Sequence, residues 1–158
     1  MSANEAKFEQ HVDRSGDCWK WTGTRNSDGY GVLRLGKKMV KAHRMSYELT
    51  SGSIPAGLVI DHICINRLCV KPSHLRAVTS KQNSENRSGA SKRNVGSGVL
   101  GVHKTPGGRF QARANHNGQA YTAGTHATIA EAEAAVIALR LSLYTHNEVD
   151  RANLPRTA

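Results

Sequence analysis

Residues 60–86 read IDHICINRLCVKPSHLRAVTSKQNSEN. His62, Cys64, Cys69, His74 and Asn83 stand in that window at intervals of 2, 5, 5 and 9 residues. Cys64 and Cys69 can each present a thiolate, and His74 offers an imidazole five residues further on. A structural zinc ion takes four ligands in a tetrahedron. The chain has 3 cysteines, too few for a closed disulfide set, so they read better as thiols or metal ligands. Cys18, Cys64, Cys69 and His74 together use every cysteine and form a complete Cys3His set. The loop over 63–74 has little apolar content and needs such a staple to hold its shape.

The elements that position these residues follow from local pattern. A short helix is expected over 4–12. Residues 18–21 alternate as a strand does, and Asn26-Ser27-Asp28-Gly29 supplies a turn. Strands over 30–35 and 38–41 flank Gly36, and a helix over 42–49 is closed by Gly52 and Pro55. Residues 58–60 and 75–78 read as strands on either side of the cysteine loop. Thr79 is the N-cap candidate of a helix over 80–86 that carries Asn83. Further on, strands over 99–103, 109–115 and 119–124 are separated by Thr105-Pro106-Gly107-Gly108 and by Asn117-Gly118, a strong hairpin signal. Thr128 and Glu131 fit a capping box. Ile129, Ala132, Val136, Leu139 and Leu143 then recur on one helical face. Residues from Thr145 onward read as a loose tail.

Composition narrows the partners. Lys plus Arg number 22 against 12 Asp plus Glu, a formal net charge of +10. Residues 76–113 carry 8 basic side chains against Glu85 alone. A basic strip beside a Gly/Ser-rich connector suits a phosphate backbone. No apolar run approaches the ~18 residues of a membrane span, so no membrane partner is expected. The first residues lack a basic-then-apolar signal pattern. The expected location is the cytoplasm of a bacterial or phage-infected cell.

The cysteine–histidine window resembles the ββα-metal nucleases, the HNH and His-Cys box group that includes phage homing endonucleases. The His-Cys box spacing is present as His62-x-Cys64-x4-Cys69-x4-His74-x8-Asn83, and Asp61-His62 with Asn83 matches the HNH pattern. Cys18, Trp19, Trp21 and Gly23, with Ala42-His43-Arg44, add to the likeness, which covers roughly residues 16–88. The resemblance implies a DNA endonuclease with His62 as general base and Asn83 as a ligand of a catalytic Mg2+ ion. The HNH branch implies Asp61 as a second ligand; the His-Cys box branch does without it. His74 departs from the HNH pattern and is assigned to the structural Zn2+. Either Asn66 or a backbone carbonyl orients His62, and Arg44 is the candidate phosphate clamp.

Residues 97–144 are similar to the plant APETALA/ethylene-response-factor DNA-binding domains. The matching segments are Gly98-Val99-x-Gly101-Val102, Gly108-Arg109-Phe110-x-Ala112, Asn117-Gly118, Gly124-Thr125 and Thr128-x-Ala130-Glu131-Ala132. That likeness implies a sheet laid in the major groove of double-stranded DNA, with Arg109, Gln111 and Arg113 on the reading face. Arg93, Lys104 and Tyr121 are weaker contacts.

The expected fold class is α+β. A zinc-stapled ββα-metal domain over 1–86 is followed by a basic linker over 87–97. A three-stranded antiparallel sheet packed on one helix occupies 98–144, and a tail occupies 145–158. The expected activity is metal-dependent phosphodiester hydrolysis at a recognised site. The alternative is a zinc-containing DNA-binding regulator that cuts nothing. One active site per chain nicks one strand, so a double-strand cut calls for a homodimer or a second visit.

Overall fold

The structure, a computed structural model, describes residues 2–87, 89–90 and 94–153. The chain divides into two compact units, Met1–Asn83 and Ser84–Ala158.

The first unit opens with α1 (Ala3–Glu9), closed at its start by a Ser2/Glu5 capping box. Strands β1 (Val12–Asp13) and β2 (Lys20–Trp21) pair antiparallel. Strands β3 (Val32–Leu35) and β4 (Lys38–Lys41) form a hairpin that leads straight into α2 (Ala42–Ser51). Gly52 ends α2 at φ +82°, a conformation that favours glycine. Phe8, Trp21, Leu33, Ala42, Met45 and Val70 make the core. Trp21 is fully buried, and Gly23 and Gly31 lie against its indole.

Strands β5 (Val59–His62) and β6 (Leu75–Val78) pair antiparallel, Val59 opposite Val78 and His62 opposite Leu75. Helix α3 (Ser80–Glu85) follows. Thr79 and Gln82 cap it reciprocally: the Gln82 amide donates to Thr79 Oγ1 at 3.2 Å, and the Thr79 amide donates to Gln82 Oε1 at 2.9 Å. This strand–loop–strand–helix order is a ββα arrangement.

In the second unit β7 (Val102–Lys104), β8 (Phe110–His116) and β9 (Gln119–His126) form a three-stranded antiparallel sheet in that order. Helix α4 (Ile129–Leu143) packs on it, capped by the Thr128/Glu131 box. Val102, Ala112, Ala132 and Val136 form the core between them. Asn117 at φ 51° and Gly118 at φ 77° make the hairpin turn that the Asn-Gly pair predicts.

Two sequence expectations are corrected. The first strand of the sheet starts at Val102, not at 99, because Gly98 and Gly101 adopt positive φ and turn the chain. Within the described residues, 145–153 do not form a loose tail, and 154–158 lie outside them. The segment contains α5 (Glu148–Ala152), in which Asp150 is buried and forms an ion pair with buried Arg140. A charged residue at helical spacing from Val136 gave no hint that its partner lay in that segment. Glu85 and Asn86 add to the attachment by accepting from the Thr145 and Glu148 amides.

Candidate functional site

The Cys3His cluster is assembled by backbone pairing. The Trp21 amide donates to the Leu68 carbonyl at 2.8 Å, and the Val70 amide donates to Trp19 O at 2.8 Å. Lys20 bridges Cys69. These bonds lay the segment holding Cys18 along the cysteine loop. The Ile63 amide closes that loop onto His74 O at 2.9 Å. The four candidate ligand atoms of Cys18, Cys64, Cys69 and His74 then lie within 4.8 Å of one another. His74 Nδ1 is 3.6 Å from Cys18 Sγ and 3.5 Å from Cys69 Sγ. The cluster is thus capable of coordinating a metal ion.

The thiols are electrically unequal. A hydrogen bond with Cys69 lowers the Cys64 pKa to about 5, which favours its thiolate form. The same bond, with burial, raises the Cys69 thiol. Ile65, between the two, has φ 60°, which is strained for a β-branched side chain. Two backbone bonds hold the loop there: the Ile63 amide to His74 O and the Ile65 amide to His62 O at 3.0 Å.

His62 ends β5 and is buried. Its Nε2 lies 3.1 Å from the Cys69 carbonyl. A carbonyl can only accept, so Nε2 carries the proton and Nδ1 carries the lone pair of the neutral ring. Of the two alternatives for orienting His62, the backbone carbonyl is the one bonded to it. Asn66 instead accepts from the Leu68 amide at 3.0 Å. Burial lowers the His62 pKa below 6.5, with the Cys64 thiolate pulling partly the other way. Neighbouring Asp61 is buried and accepts from Arg76 Nε at 3.0 Å, its cross-strand partner. Asn83 is exposed on α3.

Sequence reasoning missed two rings beside His62. His43 is 4% exposed inside α2, not a surface residue. Its ring centroid is 4.6 Å from that of His62, and Tyr30 lies 5.3 Å from His43 and 6.1 Å from His62. Burial, with His62 nearby, lowers the His43 pKa to about 3. Arg44 follows it in α2, half-buried.

In the second unit Ala112 and Ala114 are buried, and Phe110 packs against the core. Gln111 and Arg113 alternate with them and project from the other face, with Arg113 exposed. Arg109 sits just before β8 and donates from Nη2 to Thr125 O at 3.1 Å. His103 is opposite Gln111, which puts it on that open face; Lys104, opposite Phe110, is on the other. Tyr121 is opposite buried Ala114 and so on the helix-covered face, its hydroxyl donating to Gln119 Oε1 at 3.0 Å. Arg93 lies outside the described residues.

Comparisons with known proteins agree with this geometry. Residues 40–85 match the family model described as HNH endonuclease. The chain carries an HNH/His-Cys-box-type endonuclease domain. Protein 7.7 of Escherichia phage T7 is 48% identical over 69 residues, 44% of this chain and 53% of that protein. Protein 2.8 of the same phage is 35% identical over 86 residues, 53% of this chain and 58% of the relative. An uncharacterized HNH endonuclease of Acanthamoeba polyphaga mimivirus is 35% identical over 102 residues, 63% of this chain and 49% of that protein. The chain thus spans about half the length of these relatives. No solved structure matches it significantly. Among the described residues no helix is long and apolar enough to cross a membrane.

Proposed function

We propose that this chain is a metal-dependent DNA endonuclease with a homing-endonuclease-like division of labour, one unit cutting and the other reading DNA. The observation that carries the reading is the hydrogen bond from His62 Nε2 to the Cys69 carbonyl. It fixes the tautomer that leaves a basic nitrogen on a ring kept neutral by burial. His62 Nδ1 takes a proton from a water, whose oxygen forms a bond to phosphorus while the bond to the 3′ oxygen breaks. Asp61 and Asn83 offer the hard oxygen donors that Mg2+ prefers. When bound, that ion supplies counter-charge to the phosphoryl oxygens and the departing 3′ oxygen. Arg44 stands as a phosphate contact from α2.

We assign the Cys3His cluster to structural Zn2+. Zn–S and Zn–N bonds of about 2.3 and 2.0–2.1 Å in a tetrahedron place S and N about 3.6 Å apart. The distances of 3.5 and 3.6 Å to His74 Nδ1 fit that requirement. The open face of the β7–β9 sheet, with Arg109, Gln111 and Arg113, is proposed to read double-stranded DNA as the APETALA/ethylene-response-factor resemblance implies.

The test is incubation of the purified chain with supercoiled plasmid and Mg2+. Conversion to nicked or linear product is expected, and His62→Ala should abolish it while zinc content and DNA binding persist. An unaltered rate in His62→Ala refutes the assigned base. A wild-type chain that binds but never cuts is the regulator alternative. Linear product whose rate rises with the square of protein concentration marks the homodimer.

A further inference from the structure

We infer that Lys41 and Arg67, gathered on the ring of Tyr30, hold the backbone phosphates of the DNA strand presented to His62; this rests on the nuclease reading above. Three separate parts of the first unit converge at this point. Tyr30 follows the turn after Asp28, Lys41 is the last residue of β4, and Arg67 belongs to the loop that carries the metal cluster. Lys41 Nζ lies 4.8 Å from the Tyr30 ring centroid, and Arg67 Cζ lies 5.4 Å from it. The same ring is 6.1 Å from that of His62.

The platform is fixed in place. The Tyr30 amide donates to Asn26 Oδ1 at 2.8 Å, and its carbonyl accepts from the Asn26 amide at 2.9 Å. Arg67 Nη1 donates to the Asp28 carbonyl at 2.7 Å. That bond uses one of five guanidinium donors and aims the fork without neutralising it. Both cations are exposed, and among the described residues neither has a carboxylate partner. From Gly29 to Tyr47 the sequence carries Arg34, Lys37, Lys38, Lys41 and Arg44 and no acid. Cation–π contacts compensate part of the repulsion between two gathered cations. A phosphodiester meets what remains, and an Arg fork suits its paired oxygens.

The experiment uses the full chain and two readouts. The first is the affinity for a mixed-sequence DNA duplex across a salt series without divalent ions. The second is nicking of supercoiled plasmid with Mg2+. The variants are Lys41→Gln, Arg67→Gln, their double, Arg67→Lys and Tyr30→Leu, each checked for wild-type zinc content. Each Gln variant is expected to reduce the slope of log affinity on log salt by about 0.9, and the double by about twice that. Both are expected to slow nicking at least tenfold. Arg67→Lys should keep the slope yet nick more slowly, because charge remains while the fork is lost. Tyr30→Leu should lose part of both.

Gln variants with the wild-type slope and the wild-type nicking rate overturn the inference. A reduced slope with an unchanged nicking rate also overturns it, by placing the contact away from the cut strand. A wild-type chain that never nicks, with slopes that still fall, refutes the nuclease reading and leaves the phosphate contact standing. Should Lys41→Gln lose zinc, the Arg67→Gln and Arg67→Lys pair decides alone.

Discussion

Asp150→Ala should unfasten the second unit by an amount that buried charge sets. Arg140 is 5% exposed and Asp150 3%. The guanidinium donates from Nε to Asp150 Oδ2 at 2.6 Å and from Nη2 to Oδ1 at 2.7 Å, a two-pronged pair. Its Nη1 donates to the Leu100 carbonyl at 2.6 Å, and Asn147 also donates to the Asp150 carboxylate. Removing the carboxylate strands a charge that water cannot reach, which costs about 3–5 kcal/mol. The two units need not unfold together, so one global unfolding energy is not the right measure. Amide hydrogen exchange in β8 and β9 reports the second unit alone. The expected loss accelerates the slowest of those amides by roughly a hundred- to a few thousand-fold, at about 1.4 kcal/mol per decade. Replacing both partners, Arg140→Met with Asp150→Leu, should recover most of the protection, since no charge is then left buried. A single Asp150→Ala that changes exchange less than tenfold refutes the reasoning and returns the segment after Thr145 to a loose tail.

Four further outcomes are expected. Cys69→Ser, or a strong chelator, should strip zinc and melt the first unit while the β8 and β9 amides keep their protection; stoichiometric zinc by elemental analysis in Cys69→Ser would refute the ligand set. The nicking rate should rise with pH to a plateau with its midpoint below 6.5, because burial lowers the His62 pKa and the neutral ring is the base; a midpoint above 7 contradicts this. His43, with its pKa near 3, is stabilising when neutral. Stability of the first unit should therefore fall as pH drops from about 6.5 toward 3, by up to about 1.4 kcal/mol per pH unit, and His43→Leu should flatten that limb relative to wild type in acid-unfolding curves. Gly31→Ala would put a Cβ 2.6 Å from Trp21 Cγ, and should cost about 1–3 kcal/mol by thermal melting.

The local elements were legible because their signals are local. The β5–β6 hairpin, the Thr79 and Thr128 caps and the Asn-Gly turn follow from residue type and short-range spacing. The metal set was legible for another reason: thiols are few, and four ligands are needed. What stayed hidden depends on pairing between distant segments. Nothing in the sequence near Cys18 shows that Trp19 and Trp21 pair with Val70 and Leu68. Nor does helical periodicity show that His43 and Arg140 point inward, since a charged or polar type at such a position ordinarily faces water. His103 was passed over for Lys104 because charge drew attention, whereas strand register puts His103 on the open face. Tyr30 and Arg67 belong to no motif, and only the folded chain brings them to His62.

Cys69 serves two sites at once, and this orders the effects of mutation. Its sulfur belongs to the Cys3His cluster, and its carbonyl accepts the hydrogen bond from His62 Nε2. The orientation of His62 therefore depends on the cysteine loop, including the strained backbone at Ile65, and in the proposed nuclease the bound ion would maintain that loop's shape. The dependence runs one way. His62 contributes no ligand to the cluster, so removing its ring should leave metal binding intact. Losing the Cys69 sulfur frees the loop, and with it the carbonyl that sets the His62 tautomer. On the proposed assignments, a structural ion held by this cluster would also position the base. Even a Cys69 variant that retains its fold should cut poorly, whereas His62→Ala should remain zinc-replete and inert.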